Sequence, residues 1–144
     1  MNPLRAAAAG LVGTAVMTGL LMVEPSIGLP RIAIGQILST SLGSVSAHFP
    51  IGPAAGWAIH FLVGAVLALI YAGLFARRLP GNALVRGVIY GVMVFVVAQL
   101  TFMPLVGGGI FSRGDLELLA GSLLGHLVYG GLVGWIYGEP AAAK

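Results

Sequence analysis

The chain has 144 residues, of which 58% are hydrophobic and only 8% charged, and its mean hydropathy is +1.03. A soluble globular domain carries about 25% charged residues, so these few charges cannot cover a water-facing surface and the composition places the chain in a membrane. The net charge of +3 does not point to nucleic acid, because the arginines sit at the ends of apolar runs, and the absence of cysteine excludes disulfides, iron–sulfur clusters and thiolate zinc sites.

The first apolar run covers about Leu4 to Val23, opened by Pro3 and Arg5 and closed by Glu24-Pro25. Its apolar core of about 18 residues is longer than the 7–15 of a signal peptide, which predicts a spanning helix. The second run goes from Pro53 to Ala76 and stops at Arg77-Arg78-Leu79-Pro80-Gly81-Asn82, a turn in which proline fixes φ and glycine accepts positive φ. The third goes from Ala83 to Met103 and ends at Pro104; a loop containing Gly107–Gly109, expected to be a flexible turn, leads to the fourth, Leu116 to Gly138. Each run is long enough to cross a bilayer at roughly 20 residues per span. The expected fold is therefore all-α, a single transmembrane domain built as a four-helix bundle.

Residues 24–52 form one long connection. Within it RIAIGQILSTSLGSV places Ile34, Leu38, Leu42 and Val45 at helical spacing. Such a helix reaches about 22 Å, short of the ~30 Å hydrocarbon core, so it is expected to lie at the interface or to be re-entrant. Arg5, Arg77, Arg78, Arg86 and Lys144 gather on one side, whereas Arg31 and Arg113 on the other are offset by Glu24, Asp115 and Glu117. The positive-inside rule then puts both termini in the cytoplasm.

Two segments repeat. Residues 60–71 read HFLVGAVLALIY and residues 126–137 read HLVYGGLVGWIY, sharing His, a Gly four positions later (Gly64, Gly130) and a closing Ile-Tyr. The chain thus reads as two parallel helical hairpins related by a pseudo-two-fold axis along the membrane normal. His60 and His126 would lie about 10 and 15 Å below the outer ends of their helices, with Thr18 and Gln99 at matching levels of the antiparallel spans. Both histidines stand in rows of small residues four apart: Gly56, Gly64, Ala68 and Ala72 around His60, and Ser122, Gly130, Gly134 and Gly138 around His126.

An ionisable group inside a membrane is a functional-site candidate by default, and three readings are open. His60 and His126 are the axial iron ligands of a haem b held between their helices, with Gly64 and Gly130 leaving room for the porphyrin edges, giving a redox or sensing protein. Alternatively the pair binds a metal or relays protons, with Glu24, His48 or Asp115 as outer-side partners; two histidines are too few for a closed zinc site. In the third reading neutral His60 and His126 bond Thr18, Gln99 or each other and simply hold a structural or accessory subunit together. Trp57, Trp135, Tyr71 and Tyr137 near span ends read as interface anchors, and Met17, Met22, Met93 and Met103 as apolar filler. The serines at 39–46 have no base nearby in sequence, so an enzyme is not expected. The glycine-rich faces also suit a homodimer or a larger membrane complex.

GTAVMT in the first run, GWAIHFLVG opening the second, VAQLTFMPL closing the third and GSLLGHLVYGGLVG in the fourth resemble a group of small bacterial four-helix membrane proteins known only as a domain of unknown function. The resemblance covers nearly the whole chain and implies a bacterial cytoplasmic (inner) membrane and four spans. It implies no activity. The topology is checked by reporter fusions at Asn82 and Gly108, which are expected to report opposite sides of the membrane.

Overall fold

A computed structural model describes residues 1–30, 32–45 and 52–139. His48 and the tail from Pro140 to Lys144 lie outside the described residues.

Local chemistry sets the helix ends. Helix α1, Pro3–Val23, starts on Asn2, whose side chain accepts from the Arg5 amide at 3.1 Å, and has proline in its first turn, where no N–H partner is needed. A 3-10 turn, Glu24–Ile27, finishes it at Gly28, which takes φ 87°. Helix α2, Ile34–Val45, is short. Helix α3, Pro53–Ile70, continues as a π turn, Tyr71–Phe75. Helix α4, Ala83–Val97, is capped by Asn82 and continues through a π turn at Ala98–Phe102 into one more turn at Met103–Leu105. Pro104 lies in that last turn, where it lacks an N–H and crowds the carbonyl four residues back; the wider π turn directly precedes it. Helix α5, Leu116–Tyr137, is capped by Asp115, which accepts from the Glu117 and Leu118 amides at 3.1 Å.

Four segments are long and apolar enough to cross a membrane: Pro3–Ile27, Pro53–Phe75, Ala83–Leu105 and Leu116–Tyr137. These match the four expected spans. The structure is all-α among the described residues. Helix α2 is about 18 Å long by its rise, too short to span. It docks on α3 by a backbone approach in which Gly56 faces the Gly35 carbonyl and the Ser39 amide, while the Trp57 indole covers Gly35.

Round the bundle the order is α3, α1, α5, α4, and α3 meets α4 near the end that carries the chain termini. That end is called here the terminal face, and the opposite end the far face. Within each hairpin glycines bring the backbones together. Gly10 of α1 lies on Gly64, Ala65 and Ala68 of α3, and Gly87 of α4 lies on Gly130 and Gly134 of α5. Small residues at a crossing allow this approach in lipid, where no hydrophobic force drives helices together. Large apolar side chains such as Val16, Leu62, Val66, Leu74, Val97 and Trp135 are turned outward instead.

Two of the expected interface anchors turn into the bundle. Tyr71 is fully buried and Tyr137 nearly so; with Tyr90 and Phe75 they form an aromatic cluster near the terminal face, the Tyr71 and Tyr90 centroids 5.2 Å apart and those of Tyr71 and Tyr137 6.1 Å apart. Their row of small neighbours leaves space inside the bundle, which large rings fill. Trp135, by contrast, is exposed.

The crossing contacts are directly testable. A methyl at Gly130 would overlap the Gly87 carbonyl and stand 2.6 Å from Gly91 Cα, whereas one at Gly19 meets nothing within 4 Å. Gly130→Ala is expected to destabilise the bundle by about 1–3 kcal/mol. Gly19→Ala is expected to be neutral or to stabilise by up to about 1 kcal/mol, both read as unfolding in mixed micelles.

Candidate functional site

The site grows outward from one hydrogen bond. Tyr129 of α5 donates its hydroxyl to the Gly64 carbonyl of α3 at 2.6 Å, and Gly13 of α1 lies against the Tyr129 ring. Thr14 of α1 sits directly over Gly64 and turns its own hydroxyl back to the Gly10 carbonyl at 2.8 Å. Three helices therefore meet at this level, with no room for a side chain on Gly64.

One turn nearer the far face stand Thr18, His60 and His126, four residues from Thr14, four from Gly64 and three from Tyr129. Residues three and four apart share a helix face, so the register brings all three to one level. His126 Nδ1 lies 2.6 Å from the Ser122 carbonyl. A carbonyl only accepts, so Nδ1 carries the proton and the neutral ring keeps its lone pair on Nε2. The His126 ring packs edge-on to Phe95 of α4 with centroids 5.9 Å apart. His60 is flanked edge-on by Trp57 and Phe61, each with centroids 6.0 Å away, and among the described residues no group lies in hydrogen-bond distance of its buried Nε2. The Thr18 hydroxyl is likewise buried without a partner among them.

Gln99 belongs one turn further out than the histidines. It is 1% exposed and satisfied at both ends: Nε2 donates to Ser122 Oγ at 3.2 Å, and Oε1 accepts from the Ser112 hydroxyl at 3.0 Å. Near the same level the Glu24 side chain rests on Gly121 of α5. Glu24 is 0% exposed, and neither carboxyl oxygen has a partner among the described residues. Asp115 is not part of this group, since it caps α5. Among the described residues no three His, Asp or Glu side chains gather closely enough to hold a metal ion.

Toward the terminal face a polar track continues through tyrosines. Tyr90 donates to the Leu67 carbonyl at 2.7 Å, and the Tyr71 hydroxyl is buried without a partner among the described residues. Beyond them Arg86 pairs with Glu139 at 2.7 Å and also donates to the Leu79 carbonyl at 3.0 Å and the Ala76 carbonyl at 3.2 Å.

The geometry bears on the space a haem would need. Gly64 is covered by Thr14, Gly130 by the backbone of Gly87 and Gly91, and Tyr129 bridges α5 to α3 directly beneath the histidines. The small residues beside His60 and His126 are thus used by helix crossings, and the residues present do not fit a porphyrin between α3 and α5. A hollow at the far face, lined by Gly107, Ser112, Arg113 and Asp115, and an apolar groove on the outer surface, lined by Val16, Val88, Leu127 and Trp135, both lie away from the histidines.

Sequence reasoning named Glu24 only as an outer partner and passed over Tyr90, Tyr129 and Ser112. A glutamate before proline at the end of an apolar run reads as a boundary in water, which concealed its burial. Tyr129, in mid-span and away from the interfacial belt, was the available signal for the polar track.

No curated protein and no solved structure matches this chain. A family model does, over residues 1–143. With four apolar helices of spanning length and a match along almost its whole length, the chain belongs to DUF6789, a family of unknown function.

Proposed function

We propose that this chain is a small proton-handling protein of a bacterial cytoplasmic membrane, with both termini on the cytoplasmic side. Glu24 exchanges protons at the far face, which is the outer one, and Thr18, His60 and His126 form the next step inward. The observation that carries this reading is the Glu24 carboxyl group, wholly buried and without a partner on either oxygen among the described residues. An ionised carboxylate taken out of water without a partner carries a desolvation cost, and taking up a proton removes it. A carboxyl that is neutral when buried and ionised when it meets water is chemically a proton carrier.

His60 supports the same reading. Its unpartnered Nε2 can accept or give a proton, and it lies at the level of the free Thr18 hydroxyl. The tyrosine hydroxyls and the Arg86–Glu139 pair extend polar groups toward the other face. Had the histidines served only to hold the helices together, hydrogen bonds between helices would join them to Thr18 or Gln99. His126 bonds its own helix instead, and Gln99 bonds two serines.

The test uses purified protein in liposomes that enclose a pH-sensitive dye, with a potassium diffusion potential to drive protons inward. Wild type is expected to acidify the lumen faster than protein-free vesicles. Glu24→Gln and His60→Ala are expected to return the rate to that of protein-free vesicles, with the bundle still folded. Dicyclohexylcarbodiimide, which attacks protonated carboxyl groups in apolar surroundings, is expected to label Glu24 in wild type. Wild-type vesicles no faster than empty ones, or Glu24→Gln as fast as wild type, would overturn the proposal. A Soret band in protein from haem-replete cells would move the assignment to a haem b protein.

A further inference from the structure

Helix α2 stands outside the four-helix ring, and nothing in the proton reading uses it. It packs on α3. Gly35, Leu38 and Ser39, three and four residues apart, form its buried face, while Gln36 and Thr40 are exposed. The contact is made by backbone rather than by large side chains. A methyl group at Gly56 of α3 would overlap the Gly35 carbonyl and stand 3.1 Å from the Ser39 amide nitrogen. One at Gly35 would stand 2.6 Å from Trp57 Nε1.

Both residues of α3 that meet α2 adjoin His60. Gly56 stands four residues before it on the same face of α3, and Gly64, four after it, lies under Thr14 of α1. His60 therefore occupies the turn of α3 between the α1 crossing and the α2 contact. Trp57 touches both sides of that turn. Its indole lies on Gly35, and the same ring stands edge-on to the His60 imidazole with centroids 6.0 Å apart. One side chain thus reaches from α2 to the histidine with no intermediate. On the side toward α1, Gly28 takes φ 87°, and Leu29, Pro30, Ile32 and Ala33 are not helical. Hinges are built from a few such residues at the ends of elements.

We propose that α2 is a lid over His60 at the far face, seated by the Gly35–Gly56 contact, with Trp57 filling the space between lid and imidazole. Seated, the lid holds Trp57 against the ring and keeps far-face water from Nε2, which has no partner among the described residues. Lifted about Gly28, it frees Trp57 and opens Nε2 to that water. The lid rests on the proton reading for what it admits, but whether it covers His60 is measured without any proton flux.

The experiment follows the rate at which diethyl pyrocarbonate, which acylates neutral imidazole nitrogens, modifies His60 in the full chain in liposomes, read by mass spectrometry. Wild-type His60 is expected to react at least about tenfold more slowly than N-acetylhistidine, since only the opened form reacts. Gly35→Leu crowds the Trp57 indole and Gly56→Ala crowds the Gly35 backbone. Each is expected to speed the reaction at His60 by about tenfold. Gly52→Ala, whose methyl group meets nothing within 4 Å, is expected to react at the wild-type rate. Wild-type His60 as fast as N-acetylhistidine, or both lid variants at the wild-type rate, would overturn the lid. Equal acceleration by Gly52→Ala would overturn it too, since loosening would then be general. If one lid variant does not fold, the other decides. Liposomes that carry no protons would sink the function proposed above and leave this result as it stands.

Discussion

Two backbone contacts, one in each helical hairpin, set the positions of everything else in the bundle. In the first hairpin Gly64 lies under Thr14 and against Gly10; in the second Gly130 lies against Gly87 and Gly91. Lipid tails are as apolar as leucine, so helices in a membrane are held by close packing rather than by the hydrophobic effect. These crossings supply that packing. Each glycine follows its histidine by four residues, so each imidazole stands one turn, about 6 Å, nearer the far face on the same helix side. The histidine layer is thus a consequence of where the helices cross, and the repeated His-x-x-x-Gly pattern is first of all a packing signature.

With the frame set by glycine, the remaining question is how the interior treats its polar groups. Tyr129 and Tyr90 give their hydroxyls to carbonyls of α3, and Gln99 is bonded at both ends. Bonds of this kind between membrane helices are worth about 0.6 kcal/mol on average, enough to hold register. Thr18, Glu24, His60 and Tyr71 are different, since each keeps at least one buried atom without a partner among the described residues. A buried polar group left unmatched costs about 1–3 kcal/mol. Three of these four groups lie in the half of the bundle near the far face, which therefore carries most of that cost. Real proteins break the rule of polar satisfaction chiefly where they work, and this is the physical reason for placing the site there.

The sequence made the four spans legible because length and hydropathy alone decide whether a helix can cross a bilayer. The repeat made the level of His60 and His126 legible too, since a shared spacing implies a shared crossing. Other features depend on which way a side chain turns, and hydropathy does not carry that. Glu24 looked like a helix end because glutamate and proline usually mark one, yet a 3-10 turn rolls its carboxyl onto Gly121. Tyr71 and Tyr137 looked like interfacial anchors by depth, but the small residues around them leave a space that only a large ring fills. Gln99 matched Thr18 in estimated depth. The crossing instead pairs Gly10 with Gly64 and Gly87 with Gly130, which aligns Thr18 with Phe95 and moves Gln99 one turn outward.

That alignment gives the two halves different chemistry on the same frame. In the second hairpin the position facing the histidine is Phe95, and His126 is held by this ring and by the Ser122 carbonyl. In the first hairpin the equivalent position is Thr18, a hydroxyl with no partner among the described residues, at the level of a histidine whose Nε2 has none among them either. A ring tied to a backbone carbonyl and packed edge-on to phenylalanine has one preferred tautomer and little freedom. A ring with an unpartnered nitrogen beside a free hydroxyl can change its protonation with little rearrangement of its neighbours. The shared His-x-x-x-Gly spacing therefore accounts for the shared depth of the two histidines, and the one facing residue that differs accounts for their difference. In the proposed function the proton chemistry falls to His60 and Glu24, while His126 is built into the framework that faces them.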